Sequence, residues 1–264
     1  MGPHGAGVVA AEGLVSSDGK PVNSLASFMD DQIQDSVSQQ PPAVEPKAAA
    51  TDTLDAALQR HQIVLPADQV ALLDRYCQLL WDWNSKLNLT RHETYEKFVG
   101  RDVVDCIQLA VHLRQGEEVL DVGTGGGVPG LVLKVLRPDL QMTLTDSVGK
   151  KARAVASMAE ALGLDLAVYP FRAEEALEDA RFDALVVRAV GPLWKLLAAF
   201  KPHWNAFRRL LVIKGPKWKE ELDEASRRGL IHGLQWKIAA DYPLLGADGN
   251  SFILKIWPKN VPER

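Results

Sequence analysis

A short apolar run that ends in a crowd of glycines constrains this chain more than any other feature. Residues 119–130 read Val119-Leu-Asp-Val-Gly-Thr-Gly-Gly-Gly-Val-Pro-Gly130. A strand that enters a loop of small residues, with a helix beyond it, is the repeating unit of a parallel sheet covered by helices. Glycines allow positive φ and let a ligand come close to the main chain. The helix that follows presents unpaired N–H groups. Pro129 suits its first turn, where a missing N–H costs nothing.

The alternation continues downstream. Residues 142–145, 166–169, 184–187 and 210–213 read as strands. Residues 148–162, 193–200 and 219–228 read as helices, the first closed by Gly163. Residues 235–240 and 251–257 read as two final strands with no convincing helix between them, so at least one should run antiparallel. Upstream everything is helical. Residues 54–61 form a short helix with Asp52 or Thr53 near its cap. Residues 67–87 carry an apolar stripe of Val70, Leu73, Cys77, Leu80 and Trp81, and residues 94–113 repeat that pattern. The organisation expected is an acidic disordered tail over 1–50, a helical subdomain over 51–114 and an α/β core over 115–264.

Charge supports the tail. The chain has 264 residues and a formal net charge of −4. Residues 1–50 hold Glu12, Asp18, Asp30, Asp31, Asp35 and Glu45 against Lys20 and Lys47, which is the whole of that charge. With five prolines and few large apolar residues, this segment cannot offset its ordering entropy. The rest of the chain is neutral, and no acid occurs between Asp183 and Glu220. That stretch holds Arg188, Lys195, Lys201, Arg208, Arg209, Lys214, Lys217 and Lys219. It reads either as a solvated face balanced by its neighbours or as a surface that attracts phosphate.

Other classes fall away. Two cysteines, Cys77 and Cys106, make no disulfide framework, which points to a reducing, cytoplasmic setting. No run of 18 apolar residues is present, and the N-terminus has no basic and apolar leader pattern. The six histidines show no metal-ligand spacing with the cysteines, so no metal is implied.

Two ligands compete for the glycine loop. Gly125, Gly127 and Gly130 satisfy the dinucleotide pattern G-x-G-x-x-G. That fingerprint should begin as the strand ends, yet Asp121 and Gly123 come first. Asp121-x-Gly123-x-Gly125-x-Gly127 fits instead the D/E-x-G-x-G-x-G loop of enzymes that bind S-adenosylmethionine. Both ligands need an acid at the end of the second strand for ribose hydroxyls, and Asp146 fills that role. Ala173-Glu174 follows the third strand, where methyltransferases meet the adenine edge; otherwise it is a solvated helix start. A vestigial, non-catalytic fold is the third alternative.

Further segments sharpen the reading. Leu120-Asp-Val-Gly-Thr-Gly-Gly-Gly-Val-Pro-Gly130, Arg137-Pro138, Thr145-Asp-Ser-Val-Gly-Lys-Lys151, Arg188-Ala189 and Lys214-Gly215 together resemble the RsmG family, also called glucose-inhibited division protein B. Trp83-Asn-Ser-Lys-Leu-Asn-Leu-Thr90 is similar to that family's W-N-x-x-x-N-L-T helix end. The resemblance covers about residues 54–257. It implies a Rossmann-like S-adenosylmethionine-dependent methyltransferase fold, with a seven-stranded, mostly parallel sheet and an N-terminal helical extension. It implies methylation of N7 of one guanine in 16S ribosomal RNA of the small ribosomal subunit, by a cytoplasmic monomer with S-adenosyl-L-methionine as cofactor. Carried over residue by residue, the cofactor positions are Gly123, Val128, Ala173, Glu174 and Arg188, with Asp146 added from the ribose argument.

Guanine N7 has a free lone pair, so this chemistry needs orientation more than a base. No catalytic residue is assigned; the candidates are Arg188, Lys214 and Asn88, the last otherwise a helix cap. RNA-contact candidates are Lys150, Lys151, Arg209, Lys214 and Lys217. The usual H-x-x-D-S becomes Asp102-Val-Val-Asp105-Cys106 here. Rival readings are a methyltransferase for a small molecule or a protein, and a non-catalytic ribosome-assembly factor.

Overall fold

The computed structural model describes residues 52–243 and 249–262. The tail expected over 1–50 lies outside the described residues. Seven strands form one sheet in the order β3-β2-β1-β4-β5-β7-β6. They are β1 (Glu118–Val122), β2 (Gln141–Thr145), β3 (Ala167–Tyr169), β4 (Phe182–Arg188), β5 (Phe207–Lys214), β6 (Leu234–Pro243) and β7 (Asn250–Pro258). Strands β1 to β5 are parallel to one another. β7 is antiparallel to both β5 and β6, so it is the one reversed strand of the final pair. The fold is the α/β architecture expected from the sequence.

Side chains alternate across the strands and divide the apolar core in two. Val119, Ala184, Val186, Leu211 and Ile213 face one way. They meet α1 (Leu54–Arg60), α2 (Ala67–Leu87), α4 (Val104–Ala110), α5 (Gly130–Leu136) and α6 (Gly149–Ala161) in a single cluster. Leu120, Val122, Leu185, Val187, Leu210 and Val212 face the other way, onto α7 (Ala173–Asp179), α8 (Leu193–Phe200) and α9 (Trp218–Arg227). Burial on both faces explains the apolar runs over residues 184–187 of β4 and 210–213 of β5. β6 is the exposed edge, with polar Gln235, Lys237 and Asp241 and a bulge between Ile238 and Ala240, features that discourage edge-to-edge pairing.

Local signals set the helix ends. Thr53 caps α1 by accepting the Ala56 N–H at 3.2 Å. α2 ends where Asn88 takes a left-handed conformation, φ 49° and ψ 59°. Asn88 is exposed at that turn, so of its two readings the cap is the one the geometry carries. Between α3 (Tyr95–Lys97) and α4 the chain runs as a π-helix over Phe98–Val103, which the 3.6-residue pattern does not reveal. Arg137, part of the Arg-Pro pair, donates from Nη1 to the Ala110 and Leu113 carbonyls, both at 3.0 Å, and from Nη2 to the Arg114 carbonyl. It thus adds donors to carbonyls at and beyond the end of α4 and ties the helical segment to the entry of β2.

The basic stretch proves to be dispersed. Arg209 sits near the start of β5, at the sheet edge opposite the glycine loop. It is buried, paired through both terminal nitrogens with Glu117, and donates to the His112 carbonyl at 2.9 Å. Arg209 is therefore corrected from an RNA contact to a structural ion pair. Its neighbour Arg208 pairs with Asp183 at 3.0 Å. Replacing Arg209 with Met strands the Glu117 charge in the core. Urea unfolding is expected to show a loss of about 3–5 kcal/mol; an unchanged midpoint would contradict this account of the pair.

Candidate functional site

Parallel α/β sheets bind ligands at the carboxyl ends of the strands, where the strand order reverses. Here β1 lies between β2 and β4, so that point is the glycine loop after β1. The loop needs its glycines for distinct reasons. Gly123, Gly125 and Gly127 have φ of 68°, 60° and 99°, values that L side chains rarely adopt. A Cβ on Gly123 would also lie 2.6 Å from Val190, which leans in from the turn after β4. A Cβ on Gly130 would lie 2.6 Å from both Asp121 Oδ2 and Leu144. Gly130, which closes both the dinucleotide pattern and the family-like segment, is therefore also a steric requirement of the loop. Its small size admits a carboxylate at the start of α5.

Two acids tether the loop. Asp121 Oδ2 accepts the Gly130 N–H at 2.9 Å. Asp146, at the end of β2, accepts the Gly125 N–H at 2.9 Å with Oδ2 and the Val148 N–H at 2.8 Å with Oδ1. The helical segment supports the loop from behind. Tyr76 donates its hydroxyl to the Gly126 carbonyl at 2.8 Å. Leu80 and Leu89 pack where a side chain on Gly126 would stand. Leu89 is held there because Asn84, buried in the Trp-Asn motif, accepts the Thr90 N–H at 2.8 Å and donates to Glu93 at 2.7 Å.

Of the cofactor positions expected from the sequence, Gly123 and Val128 are in this loop, Asp146 directly follows β2, and Arg188 ends β4. Ala173 and Glu174 open α7, the helix after β3; Ala173 is buried and Glu174 half-buried. Arg188 is enclosed by acids. Its Nη2 donates to Asp102, and its Nε lies 3.4 Å from Asp105. Burial acts against the Arg188 charge, but the two carboxylates outweigh it and raise its pKa. Asp102 also accepts from His92 Nδ1 at 2.9 Å, and Asp105 accepts the Tyr242 hydroxyl at 2.7 Å. Asp102 therefore has partners of its own at the place where the resembled pattern has a histidine.

Among the described residues, three buried polar atoms near this edge have no hydrogen-bond partner: Asp121 Oδ1, Thr124 Oγ1 and Arg188 Nη1. An acceptor and a donor of opposite charge suit the ammonium and carboxylate of an amino acid, and Asp146 stands beyond β2, the position expected from the sequence for the ribose acid. The donor set thus fits S-adenosylmethionine. Both cysteines are buried, and burial pushes their thiols well above the usual range, which removes them as nucleophiles.

Lys214 is a second correction. Its ammonium is buried between Glu221 at 2.7 Å and the Gly191 carbonyl at 2.8 Å. It braces the turn after β4 and presents no charge to a phosphate. Lys150 and Lys217 are exposed at the loop edge of the sheet, and Lys151 is half-buried at the start of α6.

Burial pushes the Asp121 carboxyl up to about 7, against the Gly130 N–H, which favours its charged form. A folded value above the unfolded one means that this group stabilises the fold while protonated. That contribution is lost as pH rises through about 7. Asp121→Asn stays neutral and keeps an acceptor for Gly130. Its stability relative to the parent chain is expected to improve between about pH 5 and about pH 8 in urea unfolding. A gap that stays constant over that range would contradict the assignment.

The sequence profile of the family described as "GidB: rRNA small subunit methyltransferase G" matches residues 69–240. The chain is 49% identical over 172 residues to ribosomal RNA small subunit methyltransferase G of Rhodopirellula baltica, covering 65% of this chain and 74% of that protein. The corresponding protein of Chlorobium luteolum is 33% identical over 190 residues, 71% of this chain and 80% of its own length. Among solved structures, an rRNA methylase from Streptococcus thermophilus aligns with 60% of this chain and 96% of its own, at 17% identity and a TM-score of 0.44. By profile and by identity, the chain belongs to the family of ribosomal RNA small subunit methyltransferase G.

Proposed function

We propose that this chain transfers a methyl group from S-adenosylmethionine to N7 of one guanine in 16S ribosomal RNA, in the cytoplasm. The observation that carries the reading is the tethered glycine loop at the switch point of the sheet, flanked by Asp146 and by the unpaired Nη1 of Arg188. S-adenosylmethionine, when bound, supplies an electrophilic methyl group on a sulfonium.

The residues of the chain supply position. Gly123 and Val128 would line the cofactor, Asp146 would hold its ribose, and Ala173 and Glu174 would border its adenine. Asp121 and Arg188 would hold its amino-acid end. Guanine N7 attacks through a lone pair that bears no proton, so the site needs no general base. The buried thiols and the buried Lys214, paired with Glu221, agree with chemistry driven by orientation. Lys150, Lys151 and Lys217, on the same edge of the sheet, are the cations left for RNA phosphates.

The test uses small subunits or 16S RNA from a strain lacking the gene. Incubation with enzyme and cofactor, then reduction and aniline treatment, is expected to cut the RNA at one guanine. Absence of that cut would overturn the N7 reading. Charge reversal at Lys150 and Lys217 together is expected to weaken RNA binding and reduce its salt slope by about one for each phosphate no longer neutralised. An unchanged slope would favour a small-molecule or protein substrate.

A further inference from the structure

The guanidinium of Arg188 is held between two buried carboxylates. Asp102 and Asp105 are three positions apart, where the π-helix passes into α4, so both carboxylates reach one side chain on a distant strand. Neither acid is left to choose its own direction. His92 Nδ1 sits 2.9 Å from both oxygens of Asp102. The Tyr242 hydroxyl, from β6, donates to Asp105 at 2.7 Å. A guanidinium has three nitrogens, and Nε and Nη2 are taken. Nη1 is buried and unpaired. A buried donor without a partner costs free energy until something accepts from it.

The charges narrow what that acceptor is. Two carboxylates on one guanidinium leave a surplus of negative charge, a poor site for a bare anion. Arg188 is also close enough to Asp121 for its charge to lower the carboxyl's pKa, and Asp121 Oδ1 is the second unpaired buried atom. A zwitterion answers both, with its carboxylate on Nη1 and its ammonium on Asp121. Resting on the methyltransferase reading above, we propose that Asp102 and Asp105 are positioning residues: they hold two nitrogens of Arg188 and leave Nη1 as the donor for the amino-acid end of S-adenosylmethionine. Tyr242 fixes Asp105 in that role, and His92 fixes Asp102.

The experiment compares two ligands by calorimetry on the full chain. S-adenosylhomocysteine carries the amino-acid end, and 5′-methylthioadenosine lacks it. In Asp102→Asn and Asp105→Asn, S-adenosylhomocysteine is expected to bind roughly tenfold to a hundredfold more weakly, the scale of one or two charge-assisted hydrogen bonds. Binding of 5′-methylthioadenosine should be unchanged. Tyr242→Phe removes one hydroxyl, keeps the ring and carries the test if an acid variant fails to fold; it should show the same selective loss, several-fold in size. Equal weakening of both ligands, or of neither, would overturn the proposal. If the parent chain bound neither ligand, the cofactor reading itself would fall, and the proposal with it.

Discussion

Backbone amides at a helix start and in a tight loop demand acceptors, and here two carboxylates at the ends of adjacent strands supply them. Asp121 takes the Gly130 N–H and Asp146 takes that of Gly125. The rest of the site depends on these two bonds. They fix a loop whose glycines have left-handed φ, a conformation the loop residues would not hold on their own. They also set the mouth of the sheet at the point where β1 separates β2 from β4. A loop held in place before a ligand arrives has less ordering to do on binding.

The helical segment is part of the same device. Its apolar residues share one cluster with the sheet. Tyr76 and Leu80 of α2 press against Gly126, and the α2 end places Leu89 beside them. Its later turns carry Asp102 and Asp105 to Arg188. A substitution on these helices is thus felt at the carboxyl edge of the sheet through packed side chains.

Much of this was legible in the sequence. The alternation of apolar runs and helical stripes placed every strand within a few residues, and α2 matched over 67–87 because its stripe is long and regular. The loop and Asp146 announced themselves by composition and spacing. The rest depended on partners distant in the chain. Arg209 looked like a surface cation because Glu117 stands 92 positions away. Lys214 looked free because nothing in its own strand reveals Glu221 in the next helix. The Asp102–Arg188 pair spans 86 positions. The π-helix left no mark either, since one shifted hydrogen-bonding turn changes no residue type.

The claim on which everything else stands is that the loop tethered by Asp121 and Asp146 is the cofactor cradle. Calorimetric titration of S-adenosylmethionine into the parent chain and Asp146→Ala tests it most directly. Submillimolar binding is expected for the parent chain, with a loss of about a hundredfold in the variant, which gives up the loop tether and the proposed ribose acceptor together. Equal affinity in a folded Asp146→Ala variant would contradict it.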